Sequence, residues 1–112
     1  MSECLFCRIA ARQTAAEVEY EDDEIVAFRG IYPKAPVHVL IIPKRHIASV
    51  LTAEPEDAGI LGRCLLVARR LGEMKGFAER GYRIVVNSGV EGGQMIDHVH
   101  FHFLAGRRPA RG

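Results

Sequence analysis

His98-Val99-His100-Phe101-His102-Phe103-Leu104 alternates imidazole with apolar side chains close to the end of the chain. A period of two is the pattern of a β-strand with one face turned to a core and the other away from it. The run therefore predicts a last strand from His98 to Leu104. His98, His100 and His102 share one face, with neighbouring rings about 7 Å apart along the strand. Val99, Phe101 and Phe103 point the other way, into the core. Three of the five histidines of the chain fall within five consecutive positions. The strand alone admits three readings: a zinc site, since imidazole is a common ligand; a catalytic face; or a polar face without chemistry.

The segment just upstream tips the balance towards catalysis. Asn87-Ser88-Gly89-Val90-Glu91-Gly92-Gly93 is a glycine-rich loop, and Gly92-Gly93-Gln94 leads on towards the strand. Such a turn can aim several backbone N–H groups at one anion. An anion cradle beside unprotonated imidazole suits phosphoryl transfer, where donors stabilise charge on the equatorial oxygens.

Further out, the elements alternate without repeats. Leu5 to Arg12 reads as a short helix. Val18–Glu21 and Glu24–Arg29 read as a hairpin closed at Asp22-Asp23. Gly30 to Pro36 is a loop, and the β-branched run Val37–Ile42 is a central strand closed by Pro43. A long helix starts near Pro55, with Glu54, Glu56 and Asp57 at the positive end of its dipole. Leu61, Cys64, Leu65, Ala68 and Leu71 form its apolar stripe, and Gly76 stops it. Ile60, Leu66 and Val67 widen that stripe beyond what one core needs, which predicts a partner surface. Tyr82 to Val86 is a further strand. The sum is an α+β domain, an antiparallel sheet of about five strands with two helices, the longer helix against one sheet face.

Composition limits the function classes. At 112 residues the chain supports one domain, 1–112, and 48% apolar with 26% charged residues is ordinary for a soluble globule. A net charge of +1 argues against a nucleic-acid-coating surface, and the basic tail Arg107–Arg111 reads as a solvated end. No signal-peptide pattern and no apolar run long enough for a membrane are visible, so a cytoplasmic protein with no membrane partner is expected. Three cysteines argue against a disulfide framework. Cys4-Leu5-Phe6-Cys7 is a C-x-x-C pair, suited to two thiolates on one tetrahedral ion, to redox chemistry, or to two buried thiols.

Gly92-Gly93-Gln94-Met95-Ile96-Asp97 followed by His98–Leu104 resembles the histidine-triad (HIT) family signature, in which three histidines alternate with apolar residues. Tyr20–Asp23, Ala35–Ile47, Gly81–Asn87 and Gly106-Arg107 are similar to its Hint-like branch of nucleotide-binding proteins. The resemblance implies the HIT-like fold and a homodimer in which two five-stranded sheets join. It implies a purine nucleotide substrate and hydrolysis of nucleoside 5′-phosphoramidates or related nucleotidyl compounds, with dinucleoside polyphosphate hydrolysis or non-catalytic nucleotide binding as the alternatives. His100 corresponds to the nucleophile of a covalent nucleotidyl-histidine mechanism. The backbone carbonyl of His98 would hold its tautomer, and His102 would donate to the phosphate and leaving group. Asn87 and the backbone of Gly93, Gln94 and Met95 would bind phosphate, while Tyr20, Phe28 and Ile31 would sandwich the base. His38 is assigned a structural role. Some bacterial members complete a zinc site with two histidines, which maps here onto Cys4, Cys7, His46 and His98: a closed, structural zinc, with no metal needed for catalysis. Two positions depart from the branch. Gly30 stands where many relatives carry an aspartate for the ribose hydroxyls, and Met95 where Ser, Thr or Glu is common.

Overall fold

The computed structural model describes residues 4–30 and 33–106. Its strands are β1 Val18–Glu21, β2 Ile25–Arg29, β3 Val37–Pro43, β4 Arg83–Val85 and β5 Phe101–Ala105, and its α-helices are α1 Leu5–Ala10 and α2 Ala58–Lys75. The strands form one sheet in the order β1-β2-β3-β5-β4, every pair antiparallel. The β-branched run of β3 is its central strand, as the sequence predicts.

Local chemistry accounts for the boundaries. Asp22 turns the hairpin by accepting from the backbone N–H of Glu24 (2.8 Å) and of Ile25 (2.9 Å). Pro55 opens a single 3-10 turn, Pro55–Asp57, whose Asp57 carboxylate accepts from the Glu54 N–H at 2.8 Å. α2 ends where Gly76 adopts a left-handed φ of 82°, which glycine takes without steric cost.

β3 sets the two faces of the sheet. Val39 and Ile41 pair with Phe103 and Phe101, and these side chains join Ile25, Ala27, Val99 and Ala105 under α2. On the opposite face Val26, Phe28 and Ile42 pack against Phe6 and Ile9 of α1, and His38, Leu40 and His102 share that side. Helix and sheet approach closely at Gly72: a Cβ there would lie 2.5 Å from the Tyr82 ring, which itself packs on Phe103 with ring centres 4.7 Å apart.

Three expectations need correction. The last strand begins at Phe101, not His98. The backbone before it leaves the sheet, because the Val99 N–H donates to the Ile47 carbonyl (2.6 Å) and the His98 N–H to that of Ile96 (2.8 Å). The in–out alternation nevertheless holds, since Val99 enters the core under α2 while His98 and His100 lie beside Phe6 on the other side. The buried stripe of α2 is Ile60, Cys64, Val67, Ala68 and Leu71, turned from the expected one. Ile60 and Val67 serve the chain's own core, whereas Leu65, Leu66 and Met74 remain exposed. Finally, α1 stops at Ala10, β2 starts at Ile25 and β4 keeps only Arg83–Val85, so each is shorter than predicted.

Leu71 is fully buried at the centre of the α2–sheet contact. Leu71→Ala is expected to cost about 2–5 kcal/mol, through lost transfer energy and the cavity left behind. Urea unfolding monitored by circular dichroism reads this as a lower midpoint with little change in slope.

Candidate functional site: a metal-ligand cluster and an imidazole chain

α1 and the irregular segment before β5 meet at four sulfur and nitrogen donors. Cys4, Cys7, His46 and His98 place one ligand atom each within 4.8 Å of all the others. Cys4 Sγ lies 3.4 Å from His98 Nδ1, and Cys7 Sγ lies 3.2 Å from His46 Nδ1 and 3.5 Å from His98 Nδ1. Tetrahedral zinc with bonds of about 2.0–2.3 Å needs ligand atoms roughly 3.3–3.8 Å apart, so the donor set fits such an ion. Cys4 is also the N-cap of α1, where its sulfur accepts from the Cys7 N–H at 3.3 Å. The outer partner of the cluster is a carbonyl: His98 Nε2–H donates to Pro43 O at 2.7 Å. That bond leaves Nδ1 with its lone pair towards the thiols, the arrangement a metal-ligating imidazole needs.

From His98 the next ring is oriented through the backbone. His100 Nδ1 lies 2.8 Å from the His98 carbonyl oxygen, which can only accept, so Nδ1 carries the proton. Nε2 of a neutral His100 is then an unprotonated nucleophilic nitrogen. Burial holds its pKa below the ordinary histidine value, against the carbonyl bond, which favours the cation.

His102 is set through a separate route. The Lys34 backbone N–H donates to His38 Nδ1 at 3.1 Å, which leaves the proton of a neutral His38 on Nε2. His38 Nε2 lies 2.9 Å from His102 Nδ1, so it donates there, and the proton of His102 sits on Nε2. Burial pushes His102 down to about 4, and the neighbouring His100, His38 and Lys34 add to the effect. His38 is lowered too, by burial first and then by Lys34 and His100. With the His100 and His102 ring centres 5.0 Å apart, a nucleophilic nitrogen and a ring N–H donor stand side by side, both neutral at pH 7. Such a pair can attack an electrophilic phosphorus and donate a hydrogen bond to what leaves it.

The glycine loop is built differently from the expected cradle. The Gly93 N–H donates to the Val90 carbonyl (3.0 Å) and the Gln94 N–H to that of Gly89 (3.0 Å), so the loop itself uses both. The Gln94 side chain accepts from the Gly89 N–H and donates to the carbonyls of Ala48 and Ile96, at 2.7–2.9 Å, and so staples the loop to the body of the protein. Asn87 donates to the Gly92 carbonyl at 2.8 Å. Among the described residues, the Met95 N–H has no protein acceptor, and its side chain is 90% exposed.

The other residues singled out from sequence divide between the two sheet faces. Phe28 lies on the imidazole side. Tyr20 does not: it packs on the core under α2, and its hydroxyl donates to Asp22 at 2.7 Å. Ile31 lies outside the described residues, as does the tail from Arg107. Gly30 is buried, and a Cβ there would stand 3.1 Å from His38 Nδ1, so an aspartate at this position has to shift the His38 ring by a few tenths of an ångström. Sequence reasoning missed two participants. His38 has only a structural role in the sequence pattern, although a polar residue within a β-branched run, on the β3 face that carries His102, is an available signal. Phe6, between the two cysteines, packs edge-on against both His98 and His100.

This arrangement matches known proteins along most of the chain. The HIT domain model matches residues 11–109. A purine nucleoside phosphoramidase of Escherichia coli K12 is 42% identical over 105 residues, 94% of this chain and 88% of that protein. A HIT family hydrolase from Legionella pneumophila Philadelphia 1 superposes with a TM-score of 0.93 at 45% identity, covering 95% of each chain. A zinc-bound histidine triad family protein from Mycobacterium smegmatis superposes with a TM-score of 0.81 at 27% identity, covering 97% of this chain and 78% of the other. The alternating histidines, the five-stranded sheet that carries them and the extent of these matches agree: the chain belongs to the HIT domain family.

Proposed function

We propose that the protein binds a purine nucleotide and hydrolyses nucleoside 5′-phosphoramidates or related nucleotidyl compounds through a covalent intermediate on His100. The observation that carries this reading is the 2.8 Å bond from His100 Nδ1 to the His98 carbonyl, which commits the lone pair to Nε2. In the first step Nε2 attacks phosphorus, an N–P bond forms to His100, and the bond to the leaving nitrogen breaks. His102 Nε2–H donates a hydrogen bond to that nitrogen, which takes its proton from solvent and departs as the amine. In the second step water attacks phosphorus, its proton passes to solvent, and the bond to His100 Nε2 breaks to release the nucleoside monophosphate. His98 and His38 are positioning residues, acting through His100 and His102. The Met95 N–H and Asn87 would meet the phosphate, with Gly93 and Gln94 shaping the loop that presents them, and the base would lie towards Phe28 and Ile31.

The four-donor cluster fits zinc, in a closed structural site of two thiolates and two imidazoles. When bound, the ion supplies cross-linking stability between α1, the segment at His46 and the segment at His98. No catalytic step needs it. A reducing cytoplasmic setting suits cysteines that form no disulfide among the described residues. A homodimer is supported by the exposed Leu65, Leu66 and Met74 of α2 and by β4, whose partner among the described residues lies on one side only. Its test is the molar mass by light scattering at micromolar concentration, expected at twice that of the chain; a monomer mass rejects it.

His100→Asn keeps an N–H able to reach the His98 carbonyl but removes the attacking nitrogen. Turnover of adenosine 5′-phosphoramidate is expected to fall by about three orders of magnitude or more, with the unfolding midpoint nearly unchanged. Intact-mass analysis of a quenched reaction should show an adenylyl adduct on the natural protein and none on the variant. Near-normal turnover in the variant would remove His100 from the mechanism.

The lowered His102 value has a consequence for stability. The unfolded chain binds that proton first as pH falls, so the contribution is intact above about pH 6.5 and is lost progressively towards about 4. His102→Gln is expected to flatten this part of the stability–pH curve, read from urea midpoints between pH 7 and 4. Parallel curves for the two proteins would contradict the buried, neutral imidazole.

A further inference from the structure

Phe6 sits between the two cysteines of the cluster and is 3% exposed. Its ring meets three others edge-on: Phe28 with centres 5.4 Å apart, His98 at 5.9 Å and His100 at 5.1 Å. The interplanar angle to His100 is 85°, so the imidazole is braced on one side by an aromatic ring rather than by a flexible aliphatic chain. Helix α1 is only six residues long, too short to hold its place by its own hydrogen bonds. Its anchors are the packing of Phe6 and Ile9 and the two cysteines of the ligand cluster. His98 touches both ends of the arrangement: its ring faces the cysteines, and its carbonyl holds His100.

We propose that Phe6 is a positioning residue that couples the metal-ligand cluster to the nucleophile, so that metal and nucleotide bind cooperatively. Metal ligation through Cys4 and Cys7 fixes the first turn of α1, and that turn holds the Phe6 ring against His100. A nucleotide that needs His100 in place then binds the metal-loaded form more tightly, and by linkage the nucleotide tightens the metal by the same factor. The inference rests on the zinc and nucleotide reading above. The metal thus acts on substrate binding without taking part in any bond-making step.

Zinc affinity is measured by competition with a chelator of known affinity, with and without saturating adenosine monophosphate. The expected result is a gain in zinc affinity of at least about fivefold with the nucleotide. Calorimetry should give the same factor for nucleotide binding to zinc-loaded over zinc-free protein. Phe6→Leu removes the ring; it should still bind zinc and adenosine monophosphate, but the factor should fall to near one, with KM for the zinc-loaded enzyme raised more than kcat is lowered. Ile9→Ala also weakens the packing of α1 but leaves the aromatic ring against both imidazoles in place, and should keep the factor. A factor that collapses equally in both variants would reduce Phe6 to ordinary packing and overturn the inference. Should Phe6→Leu fail to fold, the natural protein still decides: zinc affinity unchanged by a nucleotide that demonstrably binds rejects the coupling alone. Failure of adenosine monophosphate to bind the zinc-loaded protein would overturn the nucleotide reading and the coupling with it.

Discussion

A neutral imidazole has one proton and two nitrogens, and everything at this site depends on which nitrogen carries it. The His98 carbonyl takes the Nδ1–H of His100, and the Pro43 carbonyl takes the Nε2–H of His98. One residue therefore presents a lone pair to the cysteines through its ring and commits the next residue's lone pair to the opposite nitrogen through its backbone. Both acceptors are main-chain atoms, so the choice of tautomer is built into the path of the chain and not left to mobile side chains. Burial keeps His98, His100, His38 and His102 in the neutral form that this choice requires.

The fold supplies these acceptors by a local failure of regular structure. Had His98–His100 continued β5 in register with β3, its backbone would have served the sheet ladder. Instead Val99 pairs with Ile47, and the His98 carbonyl remains available to an imidazole. The sheet begins again at Phe101, where its purpose is to bury Phe101, Phe103 and Ala105 under α2. His102 is the one member of the triad that lies on a regular strand, and it is set from across the sheet by His38 on β3.

Much of this was legible in the sequence because it rests on period and spacing. Alternation in residues 98–104 separated imidazoles from core, and the β-branched run of β3 marked the central strand. The C-x-x-C pair by itself leaves a metal, redox chemistry and buried thiols open; the two histidines that family resemblance adds to it do lie within 4.8 Å of both sulfurs. What escaped depends on contacts that no local pattern encodes. The buried face of α2 is not encoded locally, because Leu65 and Val67 are equally apolar and only docking on the sheet buries Val67 and leaves Leu65 exposed. Family resemblance puts Tyr20 with the base-binding residues, but its register opposite Ala27 turns it to the helix side. The amide donors expected from Gly93 and Gln94 close their own turns, a use that glycine content alone cannot distinguish from an anion cradle. His38 needed the β3–β5 pairing, and Phe6 needed the docking of α1, before either could be seen beside the triad.

The central claim is that backbone groups commit the rings of His98, His100 and His38 to one tautomer, and that His38 passes the choice on to His102. Long-range proton–nitrogen correlation on nitrogen-15-labelled protein at pH 7 observes this directly, since protonated and unprotonated ring nitrogens differ widely in chemical shift. The account predicts a protonated Nδ1 and an unprotonated Nε2 for His100, with the reverse assignment for His102. A His100 ring carrying its proton on Nε2, or averaging between the two nitrogens, would contradict it.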